Sequence, residues 1–231
     1  MKKERAFRWM QTQQMAARVA LPRGYRLELL ARRDIPEVIA FVKTWFPGIT
    51  VGSASGYTRP DFYETQVSLA QELEQDVLVV LIKQGDELAA VICGERNQDA
   101  LTLYASLAVV AGHHRGAQLG TSGIVLMEAL ARHMGCGLIY GLATLKAPYM
   151  QSALEAAGWQ LIGITPGYDR ELVAPGIVKR VFEAVYAKVL AAEGTLLLPE
   201  RRNLTEKTRS FFDFVFANGM LDCARSEIPH D

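Results

Sequence analysis

Hydrophobic and polar positions along the 231 residues change period several times, and each change marks an element. Phe7, Met10, Met15 and Val19 fall loosely on one side of a helix expected over residues 4–19. Leu21-Pro22-Arg23-Gly24 is punctuation, and Tyr25 to Leu30 alternates as a short strand. Asp34-Ile35-Pro36-Glu37 opens a helix in which Asp34 caps, Pro36 sits in the first turn and Glu37 closes a capping box. Val38, Ile39, Phe41, Val42, Trp45 and Phe46 supply its apolar face until Pro47-Gly48. Residues 52–60 form a Gly/Ser-rich loop, and a second helix is expected over 61–74, burying Phe62, Leu69 and Leu73.

A β-rich block follows. Val77 to Lys83 and Leu88 to Glu95 are β-branched runs joined by Gln84-Gly85-Asp86, which predicts a hairpin. Leu101 to Val110 is the fourth predicted strand of the chain and extends an antiparallel sheet. The pattern then turns to helix, strand, helix, strand over 119–134, 138–143, 148–157 and 159–164. Gly135 and Gly158 close the two helices. Residues 178–190 read as a last strand, 196–203 as a linker and 205–217 as a terminal helix rich in phenylalanine.

Composition narrows the class. The 25 basic residues balance 25 acidic ones, so no net charge attracts nucleic acid or an anionic membrane. Three widely spaced cysteines, Cys93, Cys136 and Cys223, make neither a disulfide framework nor a metal-ligand cluster, and no metal is expected. No run of about eighteen apolar residues is present, and the N-terminal stretch lacks an apolar signal core. A cytoplasmic protein is the expectation.

The chemistry lies between the fourth strand and the next helix, in Val109-Val110-Ala111-Gly112-His113-His114-Arg115-Gly116-Ala117-Gln118-Leu119-Gly120-Thr121. Small residues let a ligand approach the backbone, and unpaired N–H groups at a helix start favour phosphate. The Gly-Lys-Ser/Thr end of a P-loop is absent, and the loop follows antiparallel strands, unlike a dinucleotide fingerprint.

Arg115-Gly116-Ala117-Gln118-Leu119-Gly120 resembles the Arg/Gln-x-x-Gly-x-Gly/Ala signature of the GNAT N-acyltransferase superfamily, with Gln118 in place of the first glycine. The order of elements over residues 25–190 resembles that family too, leaving an N-terminal arm (1–24) and a C-terminal extension (191–231) outside it. The resemblance implies an α+β fold in three layers: a GNAT-like mixed, mostly antiparallel twisted sheet flanked by helices. It also implies an acyl-CoA-dependent N-acyltransferase that uses acetyl-CoA and a small-molecule or peptide amine acceptor. Backbone N–H groups from Arg115 to Gly120 would hold the pyrophosphate of coenzyme A, with side-chain contacts from Arg115, Gln118 and Thr121. Leu107, Val109 and Val110 would flank the pantetheine arm, and Gly116, Ala117 and Leu119 complete the loop.

The tyrosine many members place four residues before the glycine closing the fourth helix corresponds to Leu154 here. Candidate proton-transfer groups are therefore Tyr149 at the start of that helix, Tyr104 and Ser106 on the fourth strand, and Glu95 at the end of the third. His113 and His114 flank the phosphate loop as lesser candidates. Tyr57, Arg59 and Tyr63 lie in the region that covers the acceptor in the family. Phe211, Phe212, Phe214 and Phe216 make either burial on the body or a homodimer contact the expectation for the terminal helix.

Overall fold

The computed structural model describes residues 7–192 and 194–216. Cys223, the first residues of the expected N-terminal helix and Ala217 lie outside them.

Seven strands form one continuous path in the order β1-β3-β4-β5-β6-β8-β7. They are β1 (Tyr25–Leu29), β3 (Val77–Gln84), β4 (Glu87–Asn97), β5 (Thr102–Val110), β6 (Leu138–Thr144), β7 (Gln160–Ala174) and β8 (Ile177–Val189). The two-residue strand β2 (Val67–Ser68) adds to β3 in parallel, so the fourth predicted strand is β5. Neighbours along the path are antiparallel except β5 and β6, which run parallel with α4 (Leu119–Met134) as the crossover. A β-strand that re-enters a sheet in parallel needs such a crossover, and Leu119, Leu126, Met127 and Leu130 seat α4 on one sheet face. Helix α2 (Ile35–Trp45) covers the other face with Val38, Phe41 and Val42. The strands β3 and β4 are buried on both sides, which explains their continuous apolar runs. The result is the expected three-layer α+β arrangement.

Four local expectations are corrected. The helix over residues 61–74 is only α3 (Pro60–Gln66), because β-branched Val67 pairs with Val77 as a strand; Leu73 is 85% exposed. Asp34 does not cap α2: its carboxylate accepts the Ala31 N–H (3.1 Å) and closes a 3-10 turn before it. Within the described part of the N-terminal segment, helix is confined to α1 (Thr12–Ala16). The strand expected to stop at Ile164 continues to Ala174 through a register shift between Thr165 and Asp169.

The N-terminal segment belongs to the core. Trp9, Met10, Met15 and Val19 are buried in the cluster under α4, and the Trp9 indole N–H donates to the Gln75 carbonyl (2.9 Å). Helix α6 (Glu206–Phe216) runs beside β7, with Val215 buried and Phe211 and Phe214 exposed.

Candidate active site

Parallel pairing of β5 with β6 lasts only from Thr102↔Leu138 to Ala105↔Gly141. Beyond that point the strands part, and a cavity of about 900 Å³ opens between them. A second irregularity sits at the same place. Cys93 pairs with Leu107 and Gly94 with Ala105, leaving Ser106 as an extra residue in β5. The simple alternation expected for β5 therefore breaks at Ser106. Leu107 and Val109 join the core under α2, while Ala105, Ala108 and Val110 lie on the α4 side. The Ala111 N–H donates to the Ala89 carbonyl (3.0 Å), so alternation turns the backbone groups of Ala108 and Val110 to the open edge of β5.

One end of the cavity is bounded by Arg115, Gly116, Gln118, Leu119, Gly120 and Thr121. Two N–H groups of this loop are used internally, Arg115 to Gly112 O and Ala117 to His114 O (both 3.3 Å), which corrects the expectation that the whole run from Arg115 donates outward. Those of Gly116, Gln118, Leu119, Gly120 and Thr121 have no backbone partner among the described residues. A Cβ at Gly120 would meet nothing within 4 Å, so internal packing does not require glycine there; the space it leaves opens on the cavity. Gln118 has φ 60° and ψ 18°, the left-handed conformation that a glycine adopts without strain. The non-glycine residue at this position thus adopts a conformation that favours glycine. Free donors, the start of a sixteen-residue helix and an open approach make this end fit a phosphate group.

The opposite end is lined by aromatic and acidic side chains: Tyr104, Tyr168, Asp169, Glu171 and Glu183. Tyr104 stacks on Tyr140 with ring centroids 5.1 Å apart, and burial together with neighbouring Tyr168 and Glu183 pushes its phenol well up. Burial is also the largest influence on Glu183; with Asp169 and Glu171 adding repulsion against the opposing Lys146, it pushes this carboxyl up to about 7. Glu171 is buried and ion-paired with Lys146. The Asp169 carboxylate accepts the Ser53 N–H and hydroxyl, each at 2.8 Å, which docks the segment after α2 onto β7. Gly52 allows that approach, since a Cβ there would lie 2.3 Å from Arg170 O.

The sequence-derived candidates are distributed unevenly. Tyr104, Ser106 and Tyr149 line the cavity, with Tyr149 at the start of α5 (Tyr149–Ala156) and 83% exposed. Leu154 is buried in the core beneath α5. Tyr57 is buried; its hydroxyl lies 2.7 Å from Ser106 Oγ and donates to Glu95 (3.2 Å). Tyr63 is fully buried and donates to Tyr57 O, and Arg59 is exposed beside Asp61 at 3.6 Å. Tyr57, Arg59 and Tyr63 are therefore not cavity-lining residues, contrary to expectation: the 3-10 turn over Ser53–Thr58 reaches the cavity through Ser53 and Ala54, while Tyr57 turns inward to Ser106 and Glu95. Asp169, Glu171 and Glu183 were missed. Pro166-Gly167 looks like a turn, and nothing in the spacing pairs residues on either side of it with Glu183. Burial raises both described thiols, Cys93 well up and Cys136 to about 11, so neither is a ready nucleophile.

No protein-family model and no curated protein sequence matches the chain. Solved structures do. A spermidine/spermine N-acetyltransferase of Vibrio cholerae, solved in mutant forms, superposes with a TM-score of 0.57 at 12% identity, covering 73% of this chain and 95% of its own. A ribosomal-protein-S5-alanine acetyltransferase of Vibrio fischeri gives 0.56 at 10% identity over 74% and 96%. A Bacillus subtilis acetyltransferase in complex with CoA gives 0.52 at 17% identity over 72% and 99%. The chain has the GNAT fold. At these identities the likeness is one of architecture.

Proposed function

We propose that the protein is an acyl-CoA-dependent N-acyltransferase that moves an acetyl group from acetyl-CoA to a primary amine of a small molecule or peptide. Direct attack in a ternary complex fits the buried thiols. The reading is carried by one observation: a single cavity joins the free N–H groups of the signature loop to a carboxyl whose proton affinity is near neutral. A phosphate site and a proton acceptor are what this transfer needs at its two ends.

Gly116, Gln118, Gly120 and Thr121 would hold the pyrophosphate, and the open edge of β5 at Ala108 and Val110 would pair with the pantetheine amides. Acetyl-CoA supplies the activated thioester. A backbone N–H at the parted edge would stabilise the negative charge that develops on the carbonyl oxygen. Glu183 takes the proton of the incoming ammonium, with Tyr104 and Tyr168 enclosing the amine beside Asp169 and Glu171. Tyr149 would return a proton to the departing thiolate, and Ser106 and Glu95 would act through Tyr57 as positioning groups. A small apolar pocket of about 70 Å³ behind Ala105 and Gly141 favours a short acyl chain.

No helix among the described residues is long and apolar enough to cross a membrane. A cytoplasmic setting and a homodimer formed through Phe211 and Phe214 belong to the same reading; light scattering at several concentrations tests the dimer.

Calorimetric titration with acetyl-CoA and desulfo-CoA, beside Gly120→Glu, tests the function. Binding by the wild type and none by the variant is expected, followed by thiol release in an amine screen. Tight binding without turnover of any amine would favour a regulatory acyl-CoA-binding protein, a reading to which the leucine at position 154 lends weight.

A further inference from the structure

At the loop end of the cavity, which His114 also lines, β4 and the turn after β5 bring three metal-competent side chains together. Ala90 pairs with Val110 and the Ala111 N–H bonds to Ala89, so two further steps of the same register set Glu87, the first residue of β4, opposite His113. A 3-10 turn over Gly112–His114 then points two successive imidazoles toward that carboxylate. One ligand atom from each of Glu87, His113 and His114 lies within 4.8 Å of the others.

An ion pair accounts for only part of this. His113 Nε2 is 2.5 Å from Glu87 Oε1, and both side chains are about half exposed, 54% and 55%. His114 is different. It is 6% exposed, and its Nε2 is buried without a hydrogen-bond partner, 3.6 Å from Glu87 Oε1. A buried imidazole nitrogen without a partner calls for an explanation, and an ion is one of the few available. The other nitrogen, Nδ1, lies 2.9 Å from the Tyr25 hydroxyl. When Nδ1 carries the proton and donates it to Tyr25, the Nε2 lone pair is left facing Glu87 and His113. That is the outer-shell arrangement which fixes the tautomer of a metal-ligating histidine.

We infer that Glu87, His113 and His114 form a site for a divalent transition-metal ion of the zinc type, with Tyr25 as its outer-shell partner. Two imidazoles and one carboxylate suit Zn²⁺ and disfavour Mg²⁺ or Ca²⁺, which prefer oxygen ligands. Tetrahedral Zn²⁺ at ordinary bond lengths separates its ligand atoms by roughly 3.3 Å. The 3.6 Å spacing between His114 and Glu87 is already close to this, and the shorter His113 contact opens by rotation of exposed side chains. The three ligands leave an outer position for water. Because His114 directly precedes Arg115, an ion here anchors the start of the signature loop, although the site itself does not depend on acyl-CoA binding.

Untagged, chelator-stripped protein titrated with Co²⁺ alone, followed by Zn²⁺ displacement, tests the site. The wild type should take one equivalent with visible d–d bands. Glu87→Gln and His113→Ala alter exposed side chains and leave the fold intact by circular dichroism; each should weaken binding at least tenfold. Tyr25→Phe should weaken it about tenfold through the outer shell. Wild-type affinity no better than that of the Glu87→Gln/His113→Ala double variant would overturn the site, as would tight binding that the single variants leave unchanged.

Discussion

The Tyr57 hydroxyl lies 2.7 Å from Ser106 Oγ, the residue that β5 carries in excess of β4. The bond fastens the 3-10 turn over Ser53–Thr58 to the point where β5 and β6 part, and the same hydroxyl donates to Glu95. Without it, a half-buried serine hydroxyl and a carboxylate near the end of β4 lose their shared partner. Tyr57→Phe should therefore lower stability by about 1–2 kcal/mol. A double-mutant cycle with Ser106→Ala, read by denaturant unfolding, should give a coupling of about 1 kcal/mol. Additive effects would mean that the bond does not hold the bulge.

Glu183 sets the second prediction. Its carboxyl is pushed up to about 7 by burial and by neighbouring Asp169 and Glu171. As a base it works deprotonated, so kcat/KM should rise with pH through about 7 and then level. Glu183→Gln should remove that limb and cost about 10²- to 10⁴-fold in rate. Asp169→Asn removes one source of repulsion and should move the limb to lower pH. Stability has the opposite sense. The folded form holds the proton to higher pH than an unfolded glutamate does, so the stability it contributes is present below about 4.5 and is lost as pH rises to about 7. Glu183→Gln should raise Tm relative to wild type at pH 8 but not at pH 4.

Much of the frame was legible because local chemistry and global packing agree there. Helix α4 runs from Leu119 to Met134, as its periodicity and Gly135 require; Gly135 takes the left-handed conformation with φ 78°. The phosphate-type loop was readable because it is contiguous. The acidic end of the cavity was not. Asp169 and Glu171 face it only because β7 continues past Pro166-Gly167 through a shifted register, and Glu183 meets them from the neighbouring strand. The trio of Glu87, His113 and His114 was hidden for a related reason: a hairpin register, not a sequence spacing, joins residues 87 and 113. Long-range pairing decides both sites, and a single sequence does not show it.

Gln118 gives the third prediction. A residue with a Cβ held at φ 60° is strained by about 1–2 kcal/mol, and glycine offsets part of that gain through its greater unfolded-state freedom. Gln118→Gly should raise stability by about 0.5–1 kcal/mol by thermal unfolding. If acetyl-CoA binding falls at the same time, the Gln118 amide itself contacts the phosphates; unchanged binding leaves the backbone donors as the source of affinity.

Arg96 decides whether the N-terminal segment is an arm or part of the body. Its guanidinium lies over the rings of Phe7 and Trp9, 5.6 and 5.0 Å from their centroids, and donates to the Phe7 carbonyl at 2.9 Å. The same side chain is 8% exposed and pairs with Glu74 at 2.9 Å and Asp76 at 3.2 Å. Arg96→Ala removes two cation–π contacts and leaves the Glu74 carboxylate without its counter-charge, so a loss of about 3 kcal/mol is expected. Arg96→Lys keeps the charge but not the planar fork and should recover less than half of it. The decisive readout is hydrogen exchange. Amides of residues 9–19 should lose protection in Arg96→Ala while those of β4 keep theirs, because the segment opens before the sheet does. Uniform loss across both would mean that Trp9, Met10 and Met15 unfold only with the whole core, and that residues 7–24 do not form a separable unit.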